Sequence, residues 1–342
     1  PDLYPWLETN HDALTAVINQ GRLPHALLLT GQPGLGKAAF ATYLAAQLLC
    51  EDRGAAPDPC GHCPGCMQFR ADTHPDFFQV QPEEDATVIK VDQIRQLSEK
   101  LSLSSHQGGY QVAVLNPAEA MNLNAANSLL KTLEEPSDNT VLVLITARPA
   151  QLPATIRSRC QQVRIEIPDS QVALQWLQEQ GHGDTAQTYL QLTNGAPLEA
   201  LKQAQMDSMG VRREKFTALV DILDNRVSPL LVAQAWCKDE DMQGLRWMRE
   251  WLMDLLRISV SGQTKQVRSA DLQDGLLGLA RRLDSRVVFG LLERINSTLR
   301  LTAGSLNRQL LTEDILLAWA APVSYTHLTL PTTSALCRSR WA

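Results

Sequence analysis

The sequence predicts an α/β domain built on a parallel sheet, followed by a small helical domain and a larger all-helical one. Three observations predict it. Apolar, strand-like runs alternate with amphipathic helical stretches through the first half of the chain. A glycine-rich turn in LLLTGQPGLGKAAF, residues 27–40, joins the first of these runs to the helix that follows. Strand signals fade from about Ile167, and helical periodicity takes over. The expected boundaries are 1–166, 167–206 and 207–321, and a chain of 342 residues is long enough for them.

Taken in order, HALLLTG is a short apolar run ending in Gly31, and KAAFATYLAAQLLC carries apolar residues at helical spacing. YQVAVLN and TVLVLIT, rich in Val, Leu and Ile, are two further buried-strand candidates. Between them NLNAANSLLKTLEEP is a helix stopped by Pro136. DSQVALQWLQEQG, DTAQTYLQLTNG and PLEALKQA form three short helices with Gly181 and Gly195 as stop signals. Longer amphipathic helices follow, among them GLRWMREWLMDLLRISV and SRVVFGLLERINSTLRL.

Gly31, Gly34, Gly36 and Lys37 satisfy G-x-x-x-x-G-K between a strand and a helix, the context in which backbone N–H groups surround phosphates and a lysine reaches the terminal ones. Where a Ser or Thr hydroxyl should hold magnesium, the chain has Ala38. After the second strand an ATPase presents an acidic pair, whereas this chain has Asn116 and Pro117, and Glu119 falls too late for either role. Because the metal bridges and neutralises the reacting phosphates, these losses strike hydrolysis harder than binding. The expectation is an inactive pocket, with nucleotide binding by the loop left open.

Cys50, Cys60, Cys63 and Cys66 form C-x9-C-x2-C-x2-C, and the CGHCPGC trio has the Gly and Pro that tight turns need. Four thiolates suit structural zinc with no open coordination position. The alternatives are an iron–sulfur cluster, whose bacterial run has a downstream fourth Cys followed by Pro, and unliganded thiols. Cys160 and Cys237 stand alone and are expected to be core or motif residues.

Composition excludes little but shapes the rest. Acidic residues outnumber basic ones, 37 to 31, for a net charge of −6, which argues against a chain that holds nucleic acid by itself. The absence of a long apolar run or a secretory signal makes the cytoplasm the expected compartment, without membrane contact. The segment 322–342 loses helical periodicity and resembles translated adapter sequence, so it is expected to be a non-native or disordered tail, with Cys337 inside it.

These pieces converge on a family. The cysteine module after the phosphate-loop helix, THPDF starting at Thr73, NAANSLLKTLEEP and LPATIRSRC resemble bacterial clamp-loader subunits, AAA+ proteins that place the ring-shaped sliding clamp on primed DNA. Within that group the pattern of losses is similar to the delta-prime family of DNA polymerase III. The motor subunits gamma and tau carry an arginine within G-S-x-R, where this chain has Leu198. The resemblance implies an AAA+ phosphate-loop sheet with a zinc module, a small helical lid and a helical collar. It also implies a holoenzyme component without ATPase or polymerase activity of its own. Implied partners are gamma or tau, delta, and, through the complex, the clamp and primer-template DNA. Arg159 within Ser158-Arg159-Cys160 matches the family's arginine finger, offered to a neighbour's ATP, and Thr146 matches a hydroxyl-bearing sensor position. Without the resemblance, Arg159 reads as a structural ion pair. Two other classes compete with this reading: a working gamma- or tau-type ATPase, and a zinc-dependent DNA-binding module.

Overall fold

The computed structural model describes residues 3–52, 58–84, 86–105, 108–206, 208–239, 242–262, 267–301 and 307–321. The tail expected at 322–342 lies outside the described residues. The chain divides into two compact units, Pro1–Met206 and Asp207–Ala342.

The first unit is organised by five strands: β1 (Ala26–Thr30), β2 (Phe77–Val80), β3 (Gln111–Leu115), β4 (Thr140–Thr146) and β5 (Gln161–Arg164). They lie in the order β2-β3-β4-β1-β5, and every pairing is parallel. The three expected strands are β1, β3 and β4, and each is buried at every residue. Side chains alternate across a strand, so the two faces collect different residues. Leu27, Leu29, Val112, Val114, Val141 and Val143 enter one apolar cluster, while Ala26, Leu28, Ala113, Leu115, Leu142 and Leu144 enter another.

Helices cover both faces. Leu14 of α1 (Glu8–Asn19) and Phe40 and Leu44 of α2 (Lys37–Leu49) belong to the first cluster. A short α3 (Pro64–Arg70) carries the last of the clustered cysteines. Ile94 and Leu97 of α4 (Val91–Leu101) and Leu129 and Leu133 of α5 (Leu123–Glu134) belong to the second cluster. Asn122 caps α5 by accepting the Ala125 N–H at 2.8 Å. The helix stops before Pro136, with Glu135 already off helical geometry, as expected for a residue preceding proline.

Beyond β4, α6 (Ala154–Arg157) leads into β5, and α7 (Ser170–Glu179), α8 (Gly183–Leu192) and α9 (Pro197–Gln205) are the three expected short helices. They lie within the first compact unit. Trp176 of α7 packs edge-on against Trp6 at 5.2 Å between ring centroids, and Trp6 in turn stacks on Tyr4 at 5.0 Å.

The second unit is all-helical: α10 (Ser208–Leu223), α11 (Pro229–Trp236), α12 (Gln243–Ser261), α13 (Gln273–Ala280), α14 (Ser285–Leu301) and α15 (Arg308–Ala320). They share one apolar core in which Trp251 and Trp319 are fully buried. Inside it sits a charge. Arg212, 1 % exposed, donates from Nη2 to Ser269 Oγ at 2.6 Å and from Nε to Asp271 Oδ2 at 3.3 Å. Its guanidinium also lies 5.3 Å from the Trp251 ring centroid. Removing the guanidinium leaves the buried Asp271 carboxylate without its counter-charge. Arg212→Ala should therefore destabilise this unit by about 3–5 kcal/mol, measured by denaturant unfolding.

Candidate functional site

The buried β1 ends at Thr30 and hands the chain to Gly31, and α2 starts at Lys37 after Gly36. A cavity of about 470 Å³ opens here, lined by Gly34, Gly36, Lys37, Asn116, Thr146 and Leu198 among others. Lys37 is 8 % exposed, and its ammonium donates to the carbonyls of Gly31 and Gln32, each at 2.7 Å. Burial lowers its pKa, and the nearby Glu119 carboxylate pulls the other way. The loop thus supplies the lysine's partners from its own backbone.

The loop is also held from outside. Leu198, at the start of α9, donates its backbone N–H to the Gly34 carbonyl at 3.1 Å, and Gln32 Nε2 donates to the Asn194 carbonyl at 3.0 Å. Gly34 has φ +78°, and a Cβ there would fall 2.7 Å from Glu199 Cβ, so only glycine lets α9 approach this closely. On the other side Trp6 Nε1 donates to the Leu35 carbonyl at 3.0 Å.

Ala38 lines the cavity in the first turn of α2 without a hydroxyl, and Asn116 and Pro117 follow β3 without a carboxylate. Thr146 closes β4, fully buried, its Oγ1 accepting the Arg148 N–H at 3.0 Å. Glu119, given neither catalytic role from sequence, is brought by a short 3-10 turn (Ala118–Ala120) into the same cavity. Its Oε1 accepts the Ala147 N–H at 3.3 Å and lies 3.8 Å from Arg148 Nε.

The four cysteines converge. Cys50 ends α2, Cys60 lies in the loop, Cys63 caps α3 and Cys66 sits inside it. Their sulfurs all lie within 4.8 Å of one another, with Cys50–Cys63 and Cys60–Cys66 each at 3.9 Å, so the set could hold a metal ion. A tetrahedron of thiolates with bonds of ~2.3 Å has edges of ~3.8 Å, which these separations match. Backbone N–H groups of Cys60, Cys63 and Cys66 point at the sulfurs of Cys50, Cys60 and Cys63 at 3.5, 3.3 and 3.3 Å. Such donors favour thiolate and orient the ligands. Gly65 permits the turn, because a Cβ there would sit 2.5 Å from the Leu49 carbonyl oxygen. Burial pushes the Cys66 thiol up to about 12. Burial acts the same way on Cys63, but the N–H groups aimed at its sulfur outweigh it and bring it to about 7.

Cys160 is apart from this set, with its thiol raised to about 11 by burial. Its neighbour Arg159 is half-exposed. Its Nη2 lies 2.5 Å from Glu134 Oε1, and its Nη1 donates to the Thr155 carbonyl at 3.0 Å. Arg159 lies two residues before β5, whose Gln161 pairs with Leu27 near the start of β1, whereas the phosphate loop leaves the far end of β1 at Thr30. In a parallel sheet those are opposite edges. Arg159 and the loop of its own chain therefore sit at opposite ends of the strands.

Comparison with known proteins decides the family. The family model described as DNA polymerase III, delta subunit, matches residues 7–169, and the corresponding C-terminal model matches 207–321. The delta' subunit of DNA polymerase III from Pseudomonas aeruginosa is 34% identical over 328 residues, covering 94% of this chain and 98% of that protein. The chain belongs to the delta-prime family of DNA polymerase III subunits. The Escherichia coli delta' subunit is likewise 34% identical, over 92% of this chain and 94% of its own length. The tau subunit of Escherichia coli matches at 33% identity over only 46% of this chain and 24% of that protein. The gamma- or tau-type alternative thus has the weaker, partial match.

The cysteine geometry yields a test. Cys66→Ser should abolish the roughly stoichiometric metal expected of a closed four-thiolate site, measured by elemental analysis of the purified chain. Because binding displaces the Cys66 proton, metal affinity in the intact protein should fall as pH is lowered, measured by chelator competition.

Proposed function

We propose that the chain is the stator-like delta-prime subunit of a bacterial replicative clamp loader, unable to hydrolyse ATP in its own pocket and supplying Arg159 to the ATP site of a neighbouring subunit. The observation that carries this reading is the placement of Arg159 at the strand-starting edge of the sheet, away from its own loop and half-exposed. A permanently charged, planar guanidinium suits charge developing on a transferred phosphoryl group, and an arginine finger raises turnover by about 10³ to 10⁵.

Three features support the inactive pocket. Ala38 offers no magnesium ligand, Asn116 and Pro117 offer no acidic pair, and Leu198 stands where a motor subunit would carry an arginine. What remains is Lys37 bonded to its own loop and Thr146 bonded to its own turn. On this reading residues 167–206 form the lid, 207–321 form the oligomerisation collar, and the partners are gamma or tau subunits and delta. The clamp and primer-template DNA are then met through the complex.

Zinc is the metal this reading assigns to Cys50, Cys60, Cys63 and Cys66. All ligands are thiolates and none leaves a coordination position for chemistry, so the ion would fold the module rather than react. No helix among the described residues is long and apolar enough to cross a membrane, and the family's work on DNA fits a cytoplasmic protein.

Arg159→Ala should lower ATP turnover of the reconstituted loader by about tenfold or more while size-exclusion chromatography shows assembly intact; unchanged turnover refutes the finger. Ala38→Ser in the isolated chain should give no ATP hydrolysis in a phosphate-release assay, since the acidic pair is still missing.

A further inference from the structure

Arg159 does not stand alone at its edge of the sheet. The segment leaving β3 at the pocket end passes the Asn122 cap into α5, which crosses the sheet and finishes at Glu134, six residues before β4 begins at Thr140. A second crossover leaves β4 at Thr146, passes α6 and returns to the same edge at Arg159. The two crossovers meet through the contact of Arg159 Nη2 with Glu134 Oε1 at 2.5 Å.

That contact has an unusual balance of roles. Glu134 is 50 % exposed and Arg159 35 %, and an ion pair so open to water contributes little to stability. Its consequence for geometry is larger. Arginine has four rotatable side-chain bonds and five N–H donors in a rigid fork. Here one terminal nitrogen meets Glu134 and the other meets the Thr155 carbonyl. The fork is fixed at both tips by groups from two different helices, one of them already rooted in the apolar core through Leu129 and Leu133. Each tip still has a second N–H to offer.

We propose that Glu134 is a positioning residue for Arg159: its carboxylate orders the guanidinium before a neighbouring subunit's nucleotide arrives, so that the side chain enters the trans site already aimed. The proposal rests on the finger reading above. Ordering a group in advance acts on the transition state, where small misplacements are costly, more than on substrate binding. Neutralising Glu134 should thus lower kcat and spare KM.

The test uses the loader reconstituted with full-length subunits, assayed for steady-state ATP turnover in the presence of clamp and primed DNA. Glu134→Gln, which keeps shape and removes charge, should lower kcat about threefold to tenfold with KM for ATP unchanged. Glu134→Asp should recover part of the loss. In an Arg159→Ala background Glu134→Gln should change turnover less than twofold, because the group it positions is gone. Equal turnover of Glu134→Gln and wild type, or faster turnover, overturns the positioning role, and so does an equal fractional loss in both backgrounds. If Arg159→Ala itself leaves turnover untouched, the finger reading and this one fall together. If Arg159→Ala slows turnover and Glu134→Gln does not, only the positioning role falls.

Discussion

The structure depends on one strand. β1 is buried at all five residues, pairs with β4 on one side and β5 on the other, and lends Leu27 and Leu29 to one core and Leu28 to the other. A parallel strand covered on both faces cannot shift by one residue without exchanging its two cores. Its register therefore fixes the two ends of the sheet. At the end where the strands finish lie the phosphate loop, Asn116 and Thr146. At the end where they start lie Arg159, just before β5, and Glu134, just before β4. A parallel sheet sorts functional groups by strand polarity, and here it places the chain's phosphate-loop motif and the Arg159–Glu134 pair at different ends of the strands.

The phosphate loop is closed by ordinary backbone chemistry. The loop carbonyls of Gly31 and Gln32 take the lysine, the Gly34 carbonyl takes an N–H from α9, and the Leu35 carbonyl takes the Trp6 indole. Consecutive polar groups in a tight turn need partners, and leaving a buried one unmet is costly. The lysine and the neighbouring α9 and Trp6 meet that need. Glu119 adds a carboxylate in the same cavity, and its charge raises the Lys37 pKa against the lowering by burial. Its Oε2 is buried without a hydrogen-bond partner among the described residues.

Legibility in the sequence followed burial. β1, β3 and β4 are flanked on both sides and covered on both faces, so they read as continuous apolar runs. β2 and β5 lie at the sheet edges. QQVR is mostly exposed and FFQV is four residues long, so neither carries a run or a clean alternation, and neither was anticipated. The cysteine spacing and the glycine-lysine loop were legible because their chemistry demands specific residues close together in sequence. The closing contacts were not. Leu198 acts through its backbone, to which sequence is silent, and lies more than 150 residues from Gly34. Glu119 was dismissed by strand-based counting because a single 3-10 turn folds it back. Glu134 gave no signal within LEEP, since its partner arrives on a later crossover.

On the proposed reading Leu198 stands where a motor subunit carries an arginine, and the departures at the pocket then belong together. An arginine side chain at that position would carry a charge toward the cavity, and its contacts would then depend on the phosphate bound there. The main-chain hydrogen bond from Leu198 to the loop, with Gly34 too close to Glu199 to admit a side chain, is a contact that ligand charge does not govern. A ligand shifts a conformational equilibrium only as far as it binds the two states differently. With the metal ligand, the acidic pair and the lid arginine absent, this loop has few groups left to make that difference. On the proposed reading, a pocket that does not switch would leave α5 and the strand-starting end that carries Glu134 and Arg159 in one position. For a subunit proposed to present an arginine to a neighbour's site, a constant position is the property that matters, and the inactive pocket proposed above would be one physical route to it.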